Sequence, residues 1–288
     1  MPVASLSINV KNLAKTHLNH SRCLAISELS SEIIRVTLTT QTFGRQLVIV
    51  DKCTSTFDIA EQFALSGAPN GLTVIASQQS HGRGRFGRNW LSPPGGLWMT
   101  IVLHDPQLSE FASGIPLLGA LSVARTINAM FRIRSLVKWP NDVVIRSDKV
   151  GGILAESRFE GNQHAFSLLG LGLNVNFQPS LIQYANQKST TILNELKHQV
   201  DINALASATL KEIEDIFRLV DQNQINRILQ LLRSTDYSCG QRVRVTIPTR
   251  TVEGIFHDYH SLTEAEIDAN GEYVIIETGT AMSVEYTT

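Results

Sequence analysis

Four apolar segments follow one another closely in residues 136–175, LVKWPNDVVIRSDKVGGILAESRFEGNQHAFSLLGLGLNV. Runs of Val, Ile and Leu bounded by Pro, Asn, Asp and Gly are typical of short β-strands joined by tight turns. Because helical patterns flank these strands, the chain is predicted to be an α+β protein with a mixed α/β sheet, and not a doubly wound parallel sheet. The four predicted strands are Leu136–Trp139, Asp142–Ile145, Lys149–Ala155 and Phe166–Val175.

Shorter signals predict the elements on the amino-terminal side of this stretch. Thr54, Ser55 and Thr56 can cap a helix whose apolar residues recur at helical spacing. Residues 77–96 are polar and rich in Gly and Arg, which predicts a long loop. The remaining predicted elements are strands Leu47–Val50, Leu72–Ala76 and Leu97–Leu103 and a helix over Ile115–Phe131.

The pattern changes near Ser234. Asp201 caps one predicted helix and Ile225–Leu232 forms a second, but no helical period follows them. Alternation in Gln241–Ile247 and the dipeptide Asn270-Gly271 predict a small β unit that docks on the rest of the chain. The predicted organisation is an extension over residues 1–45, a main domain over 46–233 and a small β domain over 234–288.

Composition limits the possible functions. The 288 residues include 25 basic and 26 acidic side chains, which argues against a bulk nucleic-acid binder because each neutralised phosphate needs a Lys or Arg. The longest clean apolar run, Leu97–Leu103, is far shorter than the roughly 20 residues of a membrane span. The cysteines Cys23, Cys53 and Cys239 are odd in number and far apart, so no disulfide framework is expected. We predict a soluble protein of a reducing compartment, the cytoplasm.

The amino terminus leaves two interpretations open. Residues 1–27 contain Lys11, Lys15 and Arg22, and the first acidic residue is Glu28. Such acid-poor starts occur in organelle transit peptides, but a single Arg and no clear amphipathic face are weak support for targeting. The alternative is a poorly ordered or family-specific extension.

Residues 81–90, HGRGRFGRNW, combine three Gly and three Arg with no acidic residue. Gly permits a close backbone approach to a ligand, and each Arg offers a planar fork that matches carboxylate and phosphate oxygens. The GxxxxGK[ST] pattern of a P-loop is absent. A solvated basic turn is the alternative interpretation. The position of the segment between two apolar strands favours a loop at a sheet end that closes on a polyanion.

Residues 137–143, VKWPNDV, place two polar side chains at the start of a strand. Pro140 restricts Trp139 to extended backbone, so Asn141 and Asp142 open the next strand. Asp142 could hold Mg²⁺ through water or orient an amine. An Asx turn explains the same residues equally well.

Two further segments carry glycines within strands. In residues 148–156, DKVGGILAE, Lys149 lies beside small and apolar residues, where a partly desolvated ammonium can act as a point charge near a reacting carbonyl or phosphate. A lone Lys is more often a solvated surface residue. In residues 169–176, LGLGLNVN, alternating Gly leaves a flat strand face for a nucleotide base or a neighbouring backbone. No GxGxxG precedes a helix here, so a dinucleotide fold fits poorly.

Together these segments resemble, in their order and spacing, the motifs of biotin protein ligases: GRGRxGRxW, KWPND, KxGGIL and GLGxN. The resemblance covers about residues 47–288. It implies a catalytic α/β domain akin to the class II synthetases, followed by an SH3-like β-barrel. It also implies a reaction in two steps, with Mg²⁺ as the metal. The biotin carboxylate attacks the α-phosphate of ATP to give biotinyl-5'-AMP and pyrophosphate. A lysine of the biotin carboxyl carrier domain of a carboxylase then takes the biotin as an amide and releases AMP.

The resemblance also implies roles for individual residues. The cations Lys149, Arg83 and Arg85 are the expected catalytic residues, and Phe57 stands where the family pattern has Asn. Biotin contacts are implied for Ser55, Thr56, Phe57, Gln79, Arg83, Gly84, Arg85 and Lys149. Contacts to ATP or the adenylate are implied for Arg85, Arg88, Trp90, Asn141, Asp142 and Asn174, with Asp142 as the Mg²⁺ ligand.

Three alternative functions stay open at this point. A lipoate or octanoate ligase would share the architecture, although a slimmer acid would not need polar contacts from Gln79 and Ser55. A biotin-responsive repressor would need a helix-turn-helix, and no clear pattern of that kind precedes Leu47. A binding module would hold biotin without turnover. The expected protein is a monomer or homodimer that contacts no nucleic acid and no membrane.

Overall fold

The computed structural model describes residues 28–161, 163–182 and 188–287. The possible targeting segment, residues 1–27, lies outside the described residues. Within the described ranges the chain forms two β-sheets and six α-helices. The first sheet carries the predicted motifs, and the second is built by the carboxy-terminal residues.

The first sheet has eight strands, in the order β1-β2-β4-β8-β7-β6-β5, with β3 paired to β2. β1 runs parallel to β2, and the other neighbours are antiparallel. This confirms the predicted mixed sheet. The strands are β1 (Leu47–Cys53), β2 (Thr73–Arg83), β3 (Asn89–Ser92), β4 (Leu97–Leu103), β5 (Ser135–Lys138), β6 (Asp142–Ile145), β7 (Asp148–Glu160) and β8 (Gln163–Leu173).

Helices cover both faces of this sheet because its central strands are apolar on both sides. On β2, Ile75 belongs to the larger core and its neighbour Val74 to a second core, as the period of two along a strand requires. The helices are α1 (Ser31–Thr37), α2 (Thr56–Leu65), α3 (Ile115–Phe131), α4 (Ile192–Leu196), α5 (Ile202–Asp221) and α6 (Ile225–Ser234). α3 and α5 pack in the larger core, and α2 packs in the second.

Helix α3 is the central helix of the larger core. Residues 112–131 are long and apolar enough to span a membrane by length and composition, but 67% of this apolar stretch is buried inside the structure. It packs on α5 and on β5, β6, β7 and β8. A helix that is apolar on all sides is expected where protein surrounds it.

The predicted poorly ordered extension differs from the structure over residues 28–45. Ser30 caps α1, Ile34 is fully buried, and α1 packs on α5. The carboxylate of Glu214 accepts hydrogen bonds from the backbone N–H groups of residues 41–43 at 2.6–3.1 Å. A buried carboxylate on α5 therefore fixes the chain that leads into β1, a long-range contact that local composition does not reveal.

The predicted long loop over residues 77–96 is wrong in extent. β2 continues to Arg83, and β3 returns antiparallel to it, so the parts outside strands are a tip over residues 84–88 and the connection to β4 over residues 93–96. The far end of β2 becomes progressively more exposed, which explains its polar sequence. Its side chains no longer alternate between a core face and a solvent face, and that alternation is the signal by which a strand is recognised.

The second sheet is antiparallel throughout, in the order β12-β11-β10-β9-β13. Asn270 and Gly271 both have positive φ, as the predicted hairpin turn requires. Closure of this sheet into an SH3-like barrel, the likeness of the first sheet to class II synthetases and the domain boundaries stay predictions. The strands are β9 (Arg242–Ile247), β10 (Arg250–Tyr259), β11 (Glu264–Ala269), β12 (Glu272–Glu277) and β13 (Ser283–Thr287).

Trp139 joins the two sheets. It is almost fully buried, and its backbone N–H donates to Ser238 Oγ at 2.9 Å. Its indole N–H donates to Thr278 Oγ1 at 3.2 Å, and its carbonyl accepts from the Tyr286 hydroxyl at 2.9 Å. Its ring packs on Phe256, with centroids 5.6 Å apart. The KWPND segment is therefore held by the small sheet, which agrees with the predicted docking.

Candidate active site

The predicted motifs converge on one cavity of about 960 Å³. Its wall is formed by the amino-terminal turn of α2, by strands β2 to β8, and by β13 of the second sheet. Arg83, Arg85 and Lys149, which lie up to 66 residues apart in sequence, all line it. All the predicted site residues except Ser55 and Asn174 are part of this wall.

Glycines in β7 and β8 form the floor of the cavity, and aromatic side chains of the chain itself lie on them. A Cβ atom added to Gly172 would lie 2.4 Å from Trp90 Nε1, and one added to Gly152 would lie 2.8 Å from the same ring. A Cβ atom at Gly170 would lie 2.0 Å from the Phe57 ring. The flat strand face predicted from the alternating glycines is therefore occupied in part by Trp90 and Phe57, which leave no room for a side chain there.

A hydrogen-bonded polar cluster lies where α2 begins. Gln79 Oε1 accepts from the backbone N–H of Thr56 at 2.8 Å and from its hydroxyl at 3.0 Å. Gln79 Nε2 donates to Ser92 Oγ at 2.8 Å, and the Thr56 hydroxyl is 2.7 Å from that of Thr100. These bonds fix the amide orientation of Gln79, so the cluster presents a defined set of polar atoms to a small polar ligand group.

Ser55 lies behind this wall. It is 1% exposed and its hydroxyl accepts from the N–H of Phe57 at 3.3 Å, so it caps α2 as Ser and Thr commonly do. The sequence predicts that Ser55 caps α2. It does not show which side of the helix terminus faces the cavity. Contact between Ser55 and biotin stays a prediction.

Lys149 and Asp142 form an ion pair inside the cavity. Lys149 Nζ is 2.6 Å from Asp142 Oδ1, and the two side chains are only 13% and 16% exposed. The ammonium also lies 5.1 Å from the centroid of the Trp90 ring. Because water is largely excluded on both sides, this cation acts in a medium of lower dielectric constant than bulk solvent.

Arg85 and Arg88, at the tip between β2 and β3, donate to backbone oxygens of the carboxy-terminal unit. Arg85 Nη2 donates to the carbonyls of Thr278 (3.1 Å) and Ala281 (2.9 Å), and Arg88 Nη2 donates to that of Met282 (2.7 Å). Burial lowers the pKa of the Arg85 guanidinium, and the Asp142 carboxylate opposes this. Carbonyl oxygens satisfy the donors without cancelling the positive charge, so both arginines remain cations beside the cavity.

Phe86 lies between these two arginines. Its φ of 56° is unusual for an aromatic residue, and the guanidinium carbons of Arg85 and Arg88 lie 5.0 and 5.9 Å from its ring centroid. The tip is closed by a hydrogen bond from the Gly84 N–H to the Arg88 carbonyl at 2.8 Å. Asn141 adds a contact from the floor, since its Oδ1 accepts from Arg85 Nη1 at 3.3 Å.

Asn174 is buried and lies outside the cavity wall. Its Nδ2 donates to the Thr190 carbonyl at 3.1 Å, and the backbone N–H of Thr190 donates to the Lys149 carbonyl at 2.9 Å. Asn174 thus fixes the stretch that begins at Thr190 and lies beside the backbone of Lys149. A contact between Asn174 and the adenylate stays a prediction.

Two carboxylates, those of Asp142 and Glu285, line this cavity. Over the described parts of the chain, no group of three or more His, Cys, Asp or Glu residues is placed to hold a metal ion. Glu285 is 60% exposed and lies 3.6 Å from Arg244, so Asp142 is the carboxylate that lies among the predicted site residues. Mg²⁺ is commonly held by one or two carboxylates together with substrate phosphates, so Asp142 fits a metal that arrives with a nucleotide.

Sequence motifs did not point to the carboxy-terminal part of the wall. Residues 281–286, which lead into β13 and form most of it, line the cavity, and Tyr286 stacks on Lys138, whose Nζ lies 4.2 Å from the ring centroid. Burial lowers the pKa of the Lys138 ammonium, and Asp142 opposes this. No local pattern marks these residues, because they enter the wall only through the docking of the second sheet.

Comparisons with known proteins identify the family to which the chain belongs. A model of the biotin/lipoate A/B protein ligase family matches residues 47–174. The bifunctional ligase/repressor BirA of Bacillus subtilis is 36% identical over 154 residues, which cover 53% of this chain and 47% of that protein. The chain therefore spans about half the length of this relative.

Two further comparisons extend over most of the chain. The biotin–[acetyl-CoA-carboxylase] ligase of Mycobacterium tuberculosis is 30% identical over 243 residues, 82% of this chain and 88% of that protein. The structure of the biotin protein ligase from Aquifex aeolicus in complex with biotin and ATP has a TM-score of 0.73 at 24% identity, over 84% of this chain and 100% of that one. The chain belongs to the biotin/lipoate A/B protein ligase family, and within it to the biotin protein ligases.

Proposed function

We propose that the protein is an ATP-dependent biotin protein ligase that forms biotinyl-5'-AMP and transfers biotin to a lysine of a carboxylase carrier domain. One observation carries the proposal: Arg85, Arg88 and Lys149 line the same cavity as the polar pair Thr56 and Gln79. The wall thus has a polar uncharged part and a cationic part. A ligand that joins a small polar ring to an anionic nucleotide matches these two parts. The similar Aquifex structure holds biotin and ATP.

Biotin binds at the end of the cavity formed by α2 and β2. Gln79 and Thr56 face its ureido ring, and Phe57 and Trp90 provide apolar surface beside the glycine floor. Phe57 supplies packing where an Asn would supply a hydrogen bond, so this side of the pocket holds the ring by shape. The remaining polar contacts then fix its orientation.

In the first step an oxygen of the biotin carboxylate attacks the α-phosphorus of ATP, and the bond to pyrophosphate breaks. Both reactants are anions, so the barrier depends on neutralising their charge. Lys149 lies in the wall as a poorly solvated cation, and Arg85 and Arg88 keep their charge because they donate to neutral carbonyls. Loss of one such fixed donor typically costs roughly 10²–10³ in rate.

Asp142 is the residue that would hold Mg²⁺, together with phosphate oxygens of ATP. The ion would supply additional neutralisation of phosphate charge. Asp142 also orients Lys149 by the 2.6 Å ion pair, and this second role is independent of the metal.

In the second step the neutral amine of the acceptor lysine attacks the carbonyl carbon of the mixed anhydride. The bond to the phosphate oxygen breaks, AMP leaves, and the nitrogen loses a proton as the amide forms. The tip over residues 84–88 lies at the edge of the cavity, where it can separate the adenylate from water. The partner in this step is a carrier domain, and a monomer or homodimer in the cytoplasm is the expected state.

Biotin-dependent exchange of labelled pyrophosphate into ATP tests the first step. We expect exchange with biotin and Mg²⁺, little with lipoate or octanoate, and loss of exchange on chelation of the metal. Lys149→Met serves as an inactive control. Exchange that lipoate supports better than biotin would assign the protein to the lipoate branch of the family. Tight biotin binding without any exchange would make it a binding module.

A further inference from the structure

Arg83 is held differently from the other two arginines of the segment. Its Nη2 bonds to Asp58 Oδ1 on α2, and its Nη1 lies 3.3 Å from Glu156 Oε2 on β7. The guanidinium carbon is also 5.9 Å from the centroid of the Phe57 ring. Arg83 is the last residue of β2, so these contacts lie at the base of the tip over residues 84–88.

The charge count separates Arg83 from its neighbours. One guanidinium faces two carboxylates, so the group formed by Arg83, Asp58 and Glu156 has a net negative charge and does not attract a phosphate. Arg85 and Arg88 donate to backbone carbonyls instead, and their charge is not cancelled by those partners. An anion in the cavity is therefore stabilised by Arg85 and Arg88 and not by Arg83.

We propose that Asp58 and Glu156 are positioning residues, which hold Arg83 so that the base of the tip is fixed and Arg85 and Arg88 face the cavity. Arg83 is then an anchor for the tip and not a cation of the reaction, in contrast to the role that the sequence predicts for it. The functional part of this inference rests on the proposed ligase activity, whereas the anchoring itself does not.

The exposure of the Arg83, Asp58 and Glu156 side chains determines how much their ion pairs stabilise the tip. They are 39%, 34% and 49% exposed, and exposed ion pairs each contribute little to the stability of a fold because water screens them. The fold, with its buried cores, does not depend on such pairs. The rate at which the short tip opens can still change severalfold when one or two of these ion pairs are lost.

Proteolysis of the ligand-free protein tests the anchoring without reference to activity. Phe86 is 52% exposed at the tip, so chymotrypsin can cleave after it once the tip opens. We expect Asp58→Asn, Glu156→Gln and Arg83→Met each to accelerate this cleavage about threefold to tenfold, in line with the loss of one or two exposed ion pairs. Asp58 lies in the first turn of α2, so Asp58→Asn could act by destabilising that turn. Glu156 lies on a strand, so faster cleavage of Glu156→Gln would exclude this explanation.

The chain offers a matched control. Glu61 and Arg158 form an ion pair 3.6 Å long between the same two elements, α2 and β7, but away from the tip. Their side chains are 40% and 47% exposed, similar to the members of the Arg83 group. Glu61→Gln should leave cleavage at Phe86 unchanged. Equal cleavage rates in the wild type, Asp58→Asn, Glu156→Gln and Glu61→Gln would overturn the proposal.

The KM for ATP gives a second test, in which the two possible roles of Arg83 predict opposite signs. If the carboxylates position the tip, Asp58→Asn and Glu156→Gln raise the KM for ATP and release more adenylate, and combining either with Arg83→Met adds little. If Arg83 itself binds phosphate, removal of its competing carboxylates lowers the KM for ATP, and the proposal fails. Absence of biotin-dependent exchange in the wild type would refute the ligase activity, while the proteolysis result would still decide the anchoring.

Discussion

The floor of the cavity and the tip over residues 84–88 are built in different ways. The floor consists of paired strands, with Trp90 and Phe57 packed on glycines and Lys149 largely buried beside Asp142. The tip carries Arg85 and Arg88, which donate to carbonyls of the carboxy-terminal unit, and its base is held by ion pairs between Arg83 and carboxylates. The floor has little freedom to move, whereas the tip is held by contacts that a charged ligand can replace.

This difference separates two requirements of the proposed reaction. Charge must be placed accurately at the reacting atoms, which favours a rigid, poorly solvated cation such as Lys149. The site must also admit a ligand and then exclude water, which favours a tip held by weak contacts. Substitutions in the floor should therefore affect the chemical step or the fold, and substitutions in the tip should affect retention of the intermediate.

The largest expected effect is that of Lys149→Ala on adenylate formation. Loss of the buried ammonium should slow biotin-dependent pyrophosphate exchange by roughly 10²–10³. Lys149→Arg should not restore it, because a planar fork cannot replace a point charge in this packed position. Lys52→Ala, at an exposed position on β1, is the control and should exchange like the wild type. A Lys149→Ala variant with normal exchange would remove Lys149 from the mechanism.

Gly170→Ala should destabilise the fold. The new methyl group would overlap the Phe57 ring, and overpacking of this kind costs about 1–3 kcal/mol of unfolding free energy. Urea denaturation measures the loss. In a Phe57→Ala background the same substitution should cost much less, because the overlapping ring is gone. Equal costs in both backgrounds would show that the ring does not rest on this glycine.

Arg85→Gly should release the intermediate. The substitution removes two hydrogen bonds from a charged donor to the carbonyls of Thr278 and Ala281, so the Arg88 bond to Met282 is left to link the tip to the carboxy-terminal unit. We expect about tenfold more biotinyl-5'-AMP free in solution, equivalent to one charge-assisted hydrogen bond of about 1.5 kcal/mol. Chromatographic quantification of free adenylate measures this. Release at the wild-type level would contradict a retaining role for the tip.

The smallest expected effect concerns Asp236, which lies between the two sheets. Burial raises the pKa of its carboxyl, although hydrogen bonds from the Cys239 N–H and the Tyr259 hydroxyl oppose this. A raised pKa in the folded state means that folding favours the protonated form. Its stabilising contribution is therefore complete below the unfolded pKa of about 3.9 and is lost as the pH rises through the folded pKa.

Asp236→Asn keeps an acceptor oxygen and removes this titration. The unfolding free energy of the variant relative to that of the wild type should therefore increase between about pH 4 and about pH 7. Urea titrations of both proteins over this range measure the difference, in which contributions from the other carboxylates cancel. A difference that stays constant or decreases with pH would contradict the effect of burial.

The sequence allowed much of the floor to be predicted, because its signals are local. Strand periodicity, the glycines of β8 and the cap of α2 at Ser55 are visible in short windows, and the resemblance of motifs indicated that Lys149 shares a site with Arg85. The surroundings of Arg83 could not be predicted in this way. Asp58 and Glu156 are 25 and 73 residues from Arg83, and only the packing of α2 against the sheet brings them together.

The carboxy-terminal contribution to the cavity was missed for the same reason. Residues 281–286 carry no motif, and they reach the cavity because Trp139 binds Ser238, Thr278 and Tyr286 of the second unit. Burial and docking depend on the whole fold, and short-range patterns do not record them. Even α1 was assigned to a poorly ordered extension, since its partner α5 lies more than 160 residues further along the chain.

Mass spectrometry of an isolated biotin carboxyl carrier domain, incubated with the protein, biotin, ATP and Mg²⁺, detects the proposed transfer of biotin. We expect a mass gain of one biotin on a single lysine, its loss with Lys149→Ala, and no gain when lipoate replaces biotin. An unmodified carrier domain in the presence of a fully folded protein, or modification by lipoate alone, would contradict the proposed transfer.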